Sequence, residues 1–586
     1  MKKFLLMASM MFAFSAATNA MPAKKGVWHT ITLANGTEVT AELRGDEFLN
    51  WMETSDGQRL VADDNGRYVV ADMPALQEAA NARRALIGEA RAQRLARATA
   101  LKTDNGLLKT VIGGKHEPYL GKKKGLIILV EFTDKKFMDG HDLDFYKRVA
   151  NERGFTHSEG FVGSVSDYFL AQSNGQFELD FDVVGPIQLA HKVSYYGSNT
   201  NGTTDANAAY MIKEACDGAN KAGINFSDYD WDGDGEADQV FVLYAGYGEA
   251  SGGAANTIWP HEWQMKYQTK VGILTYSTGK VNTYACANEC TKDTQTKKDI
   301  SEGIGGICHE FSHCLGFADM YDTYNQDNNY GMSYWDVMDS GSYNGNGFRP
   351  CNYTGYERMY AGWVEPIVLD KAATVLKMES STDFARPFIV YNDKHKDEYY
   401  LLENRQKTGW DKSILGSGML IMHVDFKQSI WQSNMVNSSK SDHMRCTIFH
   451  ADNDAKFLKV VNGYTYIDRD NIKNDVYPYE DNDELTNTSK PAAKLYNVGP
   501  DGTKNMSKPI TGITRNGDGT MAFKFMGGND KNVISNATTN GISNITVSNK
   551  LAEDTRVYSI DGRCLGNDIN ALGHGMYIVG GKKIVK

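Results

Sequence analysis

Apolar and polar residues alternate from residue 26 to about residue 73, and the alternation is broken at Asn35-Gly36, Asp56-Gly57 and Asn65-Gly66. Such pairs favour tight turns, so this stretch predicts short strands joined as hairpins. Residues 75–100 change period. They are rich in Ala, Leu and Arg with Gly88 as the only glycine, which predicts a helix. It carries Arg83, Arg84, Arg91, Arg94 and Arg97 beside a mostly alanine face, the pattern of a solvated helix. Residues 125–132 form a short apolar run, read as a buried strand. Residues 162–172 predict a helix, 176–184 a strand, 207–222 a helix and 239–245 another buried strand. Strands mixed with helices over some 250 residues indicate an α+β or α/β domain. From 367 to 526 helical patterns fade and strand-and-turn patterns dominate, so β-rich modules are expected there. Residues 530–548 have a linker composition, and 557–563, 575–579 and the basic end 580–586 predict a small β-sandwich. No period of 20–50 residues repeats, which excludes a solenoid.

A chain of 586 residues implies three to five structural units. It carries 62 basic and 73 acidic residues, net −11, and a surface of that sign repels nucleic acid and anionic membrane. The first twenty residues resemble a signal peptide: Lys2 and Lys3, an apolar run over 4–17, then Thr18-Asn19-Ala20 as a cleavage site. That run falls short of the ~20 residues needed to span a bilayer, and no later stretch is apolar for long enough. A secreted protein without a transmembrane helix is therefore expected. Eight cysteines are present, at 216, 286, 290, 308, 314, 351, 446 and 564. Cys308 and Cys314, six apart on one expected helix, point to different faces and should not bridge each other.

Candidate chemistry concentrates at His309-Glu310-Phe311-Ser312-His313-Cys314-Leu315-Gly316-Phe317-Ala318-Asp319. Positions i and i+4 share a helical face, so His309 and His313 can present two imidazoles to one ion. Glu310 stands beside that ion, where it can take a proton from bound water. Gly316 permits a sharp turn, because glycine tolerates positive φ. The turn would bring Asp319 back as a third ligand, although Asp322 competes for that role. Two histidines and a carboxylate leave a fourth position open, as catalytic zinc requires.

A second metal pattern lies at Asp230, Asp232, Asp234, Glu236 and Asp238, with oxygen donors at alternate positions and Gly235 sixth. This is the start of a calcium loop. Position twelve is Phe241, inside an expected strand, so Asp238 at position nine would have to complete the shell.

The motif from Ile307 to Asp322 resembles that of the immune inhibitor A family of secreted metallopeptidases, zincins of the metzincin type. Trp335-Asp336-Val337-Met338-Asp339-Ser340-Gly341-Ser342-Tyr343 resembles the family's methionine turn. The resemblance makes Met338 the turn methionine, and Tyr343 stands where a phenol would stabilise the oxyanion. Leu43-Arg44-Gly45-Asp46-Glu47-Phe48, Ser166-Asp167-Tyr168-Phe169, Ser173-Asn174-Gly175, Ile258-Trp259-Pro260-His261, Glu403-Asn404-Arg405 and His423-Val424-Asp425 also fit the family. Ser312 departs from the Gly or Ala often found there. The similarity spans roughly residues 26–526. It implies a signal peptide (1–20), a propeptide (21–115), a zincin-type catalytic domain (116–366) and β-rich downstream modules (367–528). The propeptide has no cysteine to block zinc, so a carboxylate such as Asp46 would do so, and an activating, trypsin-like protease would cut in the Arg-rich helix. Residues 529–586 resemble the C-terminal sorting domain of type IX secretion, which implies export by that machinery to the bacterial cell surface.

The function expected is a secreted, monomeric zinc endopeptidase, made as a zymogen and acting on proteins or peptides. The rivals are a surface binding protein or adhesin whose zincin domain no longer cuts, and a hydrolase of a non-peptide substrate. Intact Glu310 argues against the first. The lack of a phosphate cradle or paired-carboxylate sugar site argues against the second.

Overall fold

The alternation between residues 26 and 73 folds into a five-stranded antiparallel meander: β1 (Trp28–Thr32), β2 (Glu38–Gly45), β3 (Asn50–Thr54), β4 (Arg59–Ala62) and β5 (Tyr68–Val70). The structure is a computed structural model. It describes residues 21–63, 66–82, 98–102, 108–112, 119–199, 204–268, 270–293, 296, 298–324, 329–537, 557–559, 564–566, 576–579 and 582–585. The expected signal segment and the basic stretch 83–97 lie outside these residues. Helix runs over 73–82, as the composition of 75–100 predicts, but residues 98–102 are already a strand paired with 108–112. Strand pairing overrides helix propensity there, so the predicted helix is too long at its C-terminal end.

The main sheet has the order β9-β10-β8-β6-β7. It comprises β6 (Gly121–Glu131), β7 (Phe177–Gln188), β8 (Phe241–Tyr247), β9 (His261–Gln264) and β10 (Thr283–Lys292), with β11 (Asp299–Ser301) paired to β10. The four strands from β7 to β10 are parallel, and the edge strand β9 runs antiparallel. β6 is apolar on both faces because both are covered, as parallel strands usually are. Leu126, Ile128 and Val130 join one core with Met211, Ile212 and Ala215 of helix α3 (Ala208–Lys221). Ile127 and Leu129 face the opposite core, shared with α1 (Leu143–Asn151), α2 (Val165–Gln172) and the wholly buried helix α4 (Gly305–Cys314).

Downstream, β12 (Ile367–Val368), β14 (Phe388–Asn392), β15 (His395–Arg405), β16 (Gly418–Asp425) and β17 (Cys446–Ile448) form a five-stranded sheet. A four-stranded sheet joins β13 (Ala373–Met378), β18 (Ile510–Arg515), β19 (Met521–Phe525) and β20 (Val533–Ser535). The period-two alternation sends side chains two ways. Tyr400, Leu402, Met419 and Ile421 meet Phe523 and Phe525 of the smaller sheet. Tyr399, Leu401, Leu420, Met422 and Val424 enter the core that holds α4. The five-stranded sheet is therefore a wall of the same core as the metal motif. Arg405 reinforces the join: it is fully buried, pairs with Asp411 and Glu403, and donates to the Trp335 carbonyl at 2.9 Å.

Residues up to 537 form one compact unit and 538–586 another. The described part of the second is a four-stranded antiparallel sheet of β21 (Val557–Ser559), β22 (Cys564–Gly566), β23 (Met576–Val579) and β24 (Lys582–Val585), in the order β22-β21-β23-β24. Among the described residues no helix is long and apolar enough to cross a membrane.

Candidate metal centre and active site

α4 places His309 and His313 one turn apart, with ring centroids 4.8 Å apart and ring planes nearly perpendicular. Leu315 closes the helix. Gly316 then adopts φ +91° and reverses the chain, with its N–H donating to the His313 carbonyl at 2.8 Å. The reversal carries Asp319 back to the histidines. Asp319 Oδ1 lies 3.2 Å from the Nε2 atoms of both His309 and His313, and those two nitrogens are 3.2 Å apart. A tetrahedral ion with bonds of about 2.0–2.1 Å sets its ligand atoms about 3.3–3.4 Å apart, so the triangle fits zinc with one position left for water or substrate. Asp322 instead accepts from the N–H groups of Tyr324 and Ser439, and the group brought together is His309, His313 and Asp319.

Backbone carbonyls set the tautomers. His309 Nδ1 lies 2.7 Å from the Val337 carbonyl, and His313 Nδ1 lies 2.8 Å from the Phe317 carbonyl. A carbonyl only accepts, so each Nδ1 carries the proton and each Nε2 turns its lone pair toward the position a metal would take. Val337 precedes the fully buried Met338, whose carbonyl accepts from Met320 N–H at 2.8 Å. The methionine segment thus supports both the first histidine and the chain leaving Asp319. Burial would raise the Asp319 carboxyl, but His313 and His309 beside it hold it well below the usual range.

Sequence reasoning missed Asn434, far downstream. Its Oδ1 accepts from Asp319 N–H at 2.8 Å, and its Nδ2 donates to Asp319 Oδ2. The only trace in the sequence is an asparagine in a polar stretch, which adopts φ +56° here.

Glu310 is fully buried, and burial followed by the Asp319 charge raises its carboxyl well above the ordinary range. Its Oε1 accepts from the N–H of Met21 at 2.8 Å. The N-terminal segment therefore lies in the cleft. The Tyr343 hydroxyl donates to the Pro22 carbonyl at 2.8 Å. Asp46 Oδ1 caps its own turn, accepting from Phe48 and Leu49 N–H at 2.9 Å each. Glu47 differs: it is buried, no other residue among those described hydrogen-bonds its carboxylate oxygens, and the charges of Asp46, Asp319 and Glu310 act on it. Burial, then those neighbours, push its carboxyl well above the usual range.

At the acidic loop the structure brings together Asp230, Asp232 and Asp238. Asp234 and Glu236 are not in that group: Asp234 Oδ1 accepts from Glu236 N–H, and Glu236 Oε2 accepts from Asn282 at 3.0 Å. Asp238 is half-buried, and burial with Asp232, Asp234 and Asp230 nearby pushes its carboxyl up to about 7. The seven cysteines of the first unit are buried and form no disulfide among the described residues, so Cys308 and Cys314 do not bridge.

Comparison with known proteins points the same way as the geometry. The chain is 26% identical to the pre-pro-metalloprotease PrtV of Vibrio cholerae over 46% of its own length and 34% of that protein. It is 24% identical to immune inhibitor A of Bacillus thuringiensis subsp. alesti over 44% of its own length and 43% of that protein. The matches thus span less than half the length of either relative. Residues 115–363 match the family described as immune inhibitor A peptidase M6, catalytic domain. That segment holds His309, Glu310, His313, Asp319, Met338 and Tyr343, and it is similar to the metallopeptidase catalytic domain of the immune inhibitor A family.

Proposed function

We propose that this chain is a secreted, zinc-dependent endopeptidase made as a zymogen. The observation that carries the reading is the convergence of His309, His313 and Asp319 beside the buried carboxylate of Glu310. Zinc held by those three residues would supply Lewis-acid polarisation of the scissile carbonyl and of the attacking water. Glu310 takes the proton of that water and passes it to the leaving nitrogen. No side-chain nucleophile is needed, so no acyl-enzyme forms.

Latency is supported by the segment lying in the cleft. Met21 N–H engages Glu310, and Glu47 is buried against Asp319 and Glu310. Glu47, rather than Asp46, is the carboxylate suited to block the metal, because Asp46 Oδ1 is committed to its own turn. An activating protease would cut in the basic stretch 83–97. In this closed form Tyr343 contacts Pro22, and it is freed to meet substrate once the segment leaves. Asp230, Asp232 and Asp238 would hold a structural calcium ion. Residues 529–586 would act as the sorting domain that brings the protein, as a monomer, to the cell surface through type IX secretion. An inactive adhesin would have no use for Glu310 at that place, so that alternative is not favoured.

The test is casein cleavage by protein lacking residues 1–20, before and after limited trypsin, beside Glu310→Ala. Cleavage that appears after trypsin, stops with a zinc chelator and is absent in the variant supports the reading. Full activity in Glu310→Ala discards it.

A further inference from the structure

Residues 21–24 are anchored in the cleft through their backbone. Met21 N–H donates to Glu310 Oε1 at 2.8 Å, and the Met21 carbonyl accepts from Trp259 Nε1 at 3.0 Å. The Pro22 carbonyl accepts from the Tyr343 hydroxyl at 2.8 Å, and Lys24 N–H donates to the Ala250 carbonyl at 2.8 Å. In peptide hydrolysis the nitrogen that leaves must stand within hydrogen-bond reach of the carboxylate that returns its proton. The nitrogen in that place is Met21 N. The chain then runs away from Glu310 in the N-to-C direction, as the amine-bearing half of a cut substrate does.

The Met21 side chain is 2% exposed and belongs to the apolar core around α4, with Ala287 and Ile304. Its sulfur lies over Gly306. A Cβ built at Gly306 would stand 3.0 Å from Met21 Sδ and 3.9 Å from the Ala287 Cβ. Gly306 is helical, with no positive φ, so space rather than backbone conformation calls for glycine there. The far end of the side chain fills the pocket over Gly306. A short side chain would leave that space empty, and a charged one would be desolvated without a partner.

We propose that residues 21–24 occupy the leaving-group side of the cleft as a cleaved product would, and that the first pocket on that side selects a long apolar side chain such as methionine, with Gly306 as its floor. The inference rests on the peptidase reading and names the substrate class of the same site: proteins cut on the N-terminal side of Met or a residue of similar length and polarity. Trp259 and Tyr343 then act on substrate as the donors that hold its first two leaving-side carbonyls.

The experiment uses the full chain, zinc-loaded and activated with limited trypsin, on paired peptides that differ only in Met or Ala after the cut. Wild-type protein should prefer Met by about 10-fold or more in kcat/KM. Gly306→Ala should lower that Met-to-Ala ratio by about 10-fold. As a second readout, the peptide Met-Pro-Ala-Lys with a free amine should inhibit competitively, and its N-acetylated form should inhibit at least about 10-fold less. A Met-to-Ala ratio near one, a ratio untouched by Gly306→Ala alongside a non-inhibiting peptide, or a preference confined to the other side of the cut overturns the inference while leaving the peptidase intact. Loss of all zinc-dependent cleavage of casein and peptides overturns both.

Discussion

Asn434 grips Asp319 at two points, accepting from its N–H at 2.8 Å and donating to its Oδ2. The carboxylate is thereby oriented with Oδ1 toward both histidines. A residue of the downstream region thus positions the carboxylate proposed as third ligand of the metal. Asn434→Ala should weaken zinc binding about 10- to 100-fold, the usual cost of losing a partner that orients a ligand. Competition with a chromophoric chelator reads this directly, and unchanged affinity would show that Asp319 is held by other means.

Glu47 and Asp46 are adjacent but have different surroundings, so they should behave differently. Glu47→Gln should loosen the hold of residues 21–82 on the cleft and expose the metal, giving casein cleavage before trypsin and zinc loss to a chelator at least about 10-fold faster. Asp46→Ala removes a side chain that caps Phe48 and Leu49 N–H, and should cost about 1 kcal/mol of stability by thermal melting. Latency released by Asp46→Ala but not by Glu47→Gln would reverse the assignment.

How much of this was legible depended on whether the signal was local. The face shared by His309 and His313, the turn at Gly316 and the return of Asp319 all lie within eleven residues, where helical period and glycine chemistry suffice. The choice between Asp319 and Asp322 was not legible, because it depends on Asn434 and Ser439, brought there by the fold. Asp46 drew notice through its charged turn, while Glu47 stands out only once burial and hydrogen bonding are known. The strand-and-turn pattern over 367–526 predicted β-rich modules, but not that one face of β15 and β16 would complete the core around α4. Long-range packing of that kind leaves no periodic trace.

His141 should make stability depend on alkaline pH. Its ring is buried, stacks on Phe145, and lies 3.1 Å from Glu289 and 3.2 Å from Glu159. Burial alone would lower its pKa, but the two carboxylates raise it to about 9. The folded value exceeds the unfolded value of about 6.5, so the stabilisation is complete below pH 6.5 and lost as pH rises from 6.5 to 9. The amount is on the order of 1–3 kcal/mol. His141→Gln should therefore melt well below wild type at pH 6 and close the gap near pH 9.5. A gap independent of pH would mean that the ring contributes packing only.

The acidic loop discriminates among its own carboxylates. Asp230, Asp232 and Asp238 offer oxygens within 4.8 Å of one another, so repulsion among them should be relieved by a divalent cation. Calcium at about 100 times its dissociation constant would add about 2.7 kcal/mol of stability. The melting temperature of the full chain should rise with calcium and fall with a calcium-selective chelator. Asp238→Asn should abolish that response, since without a twelfth-position carboxylate Asp238 would have to close the shell. Glu236→Gln should retain it, because Glu236 Oε2 is turned to Asn282 rather than to the loop centre. A calcium response lost equally in both variants would restore Glu236 as a ligand and require the loop to rearrange around the ion.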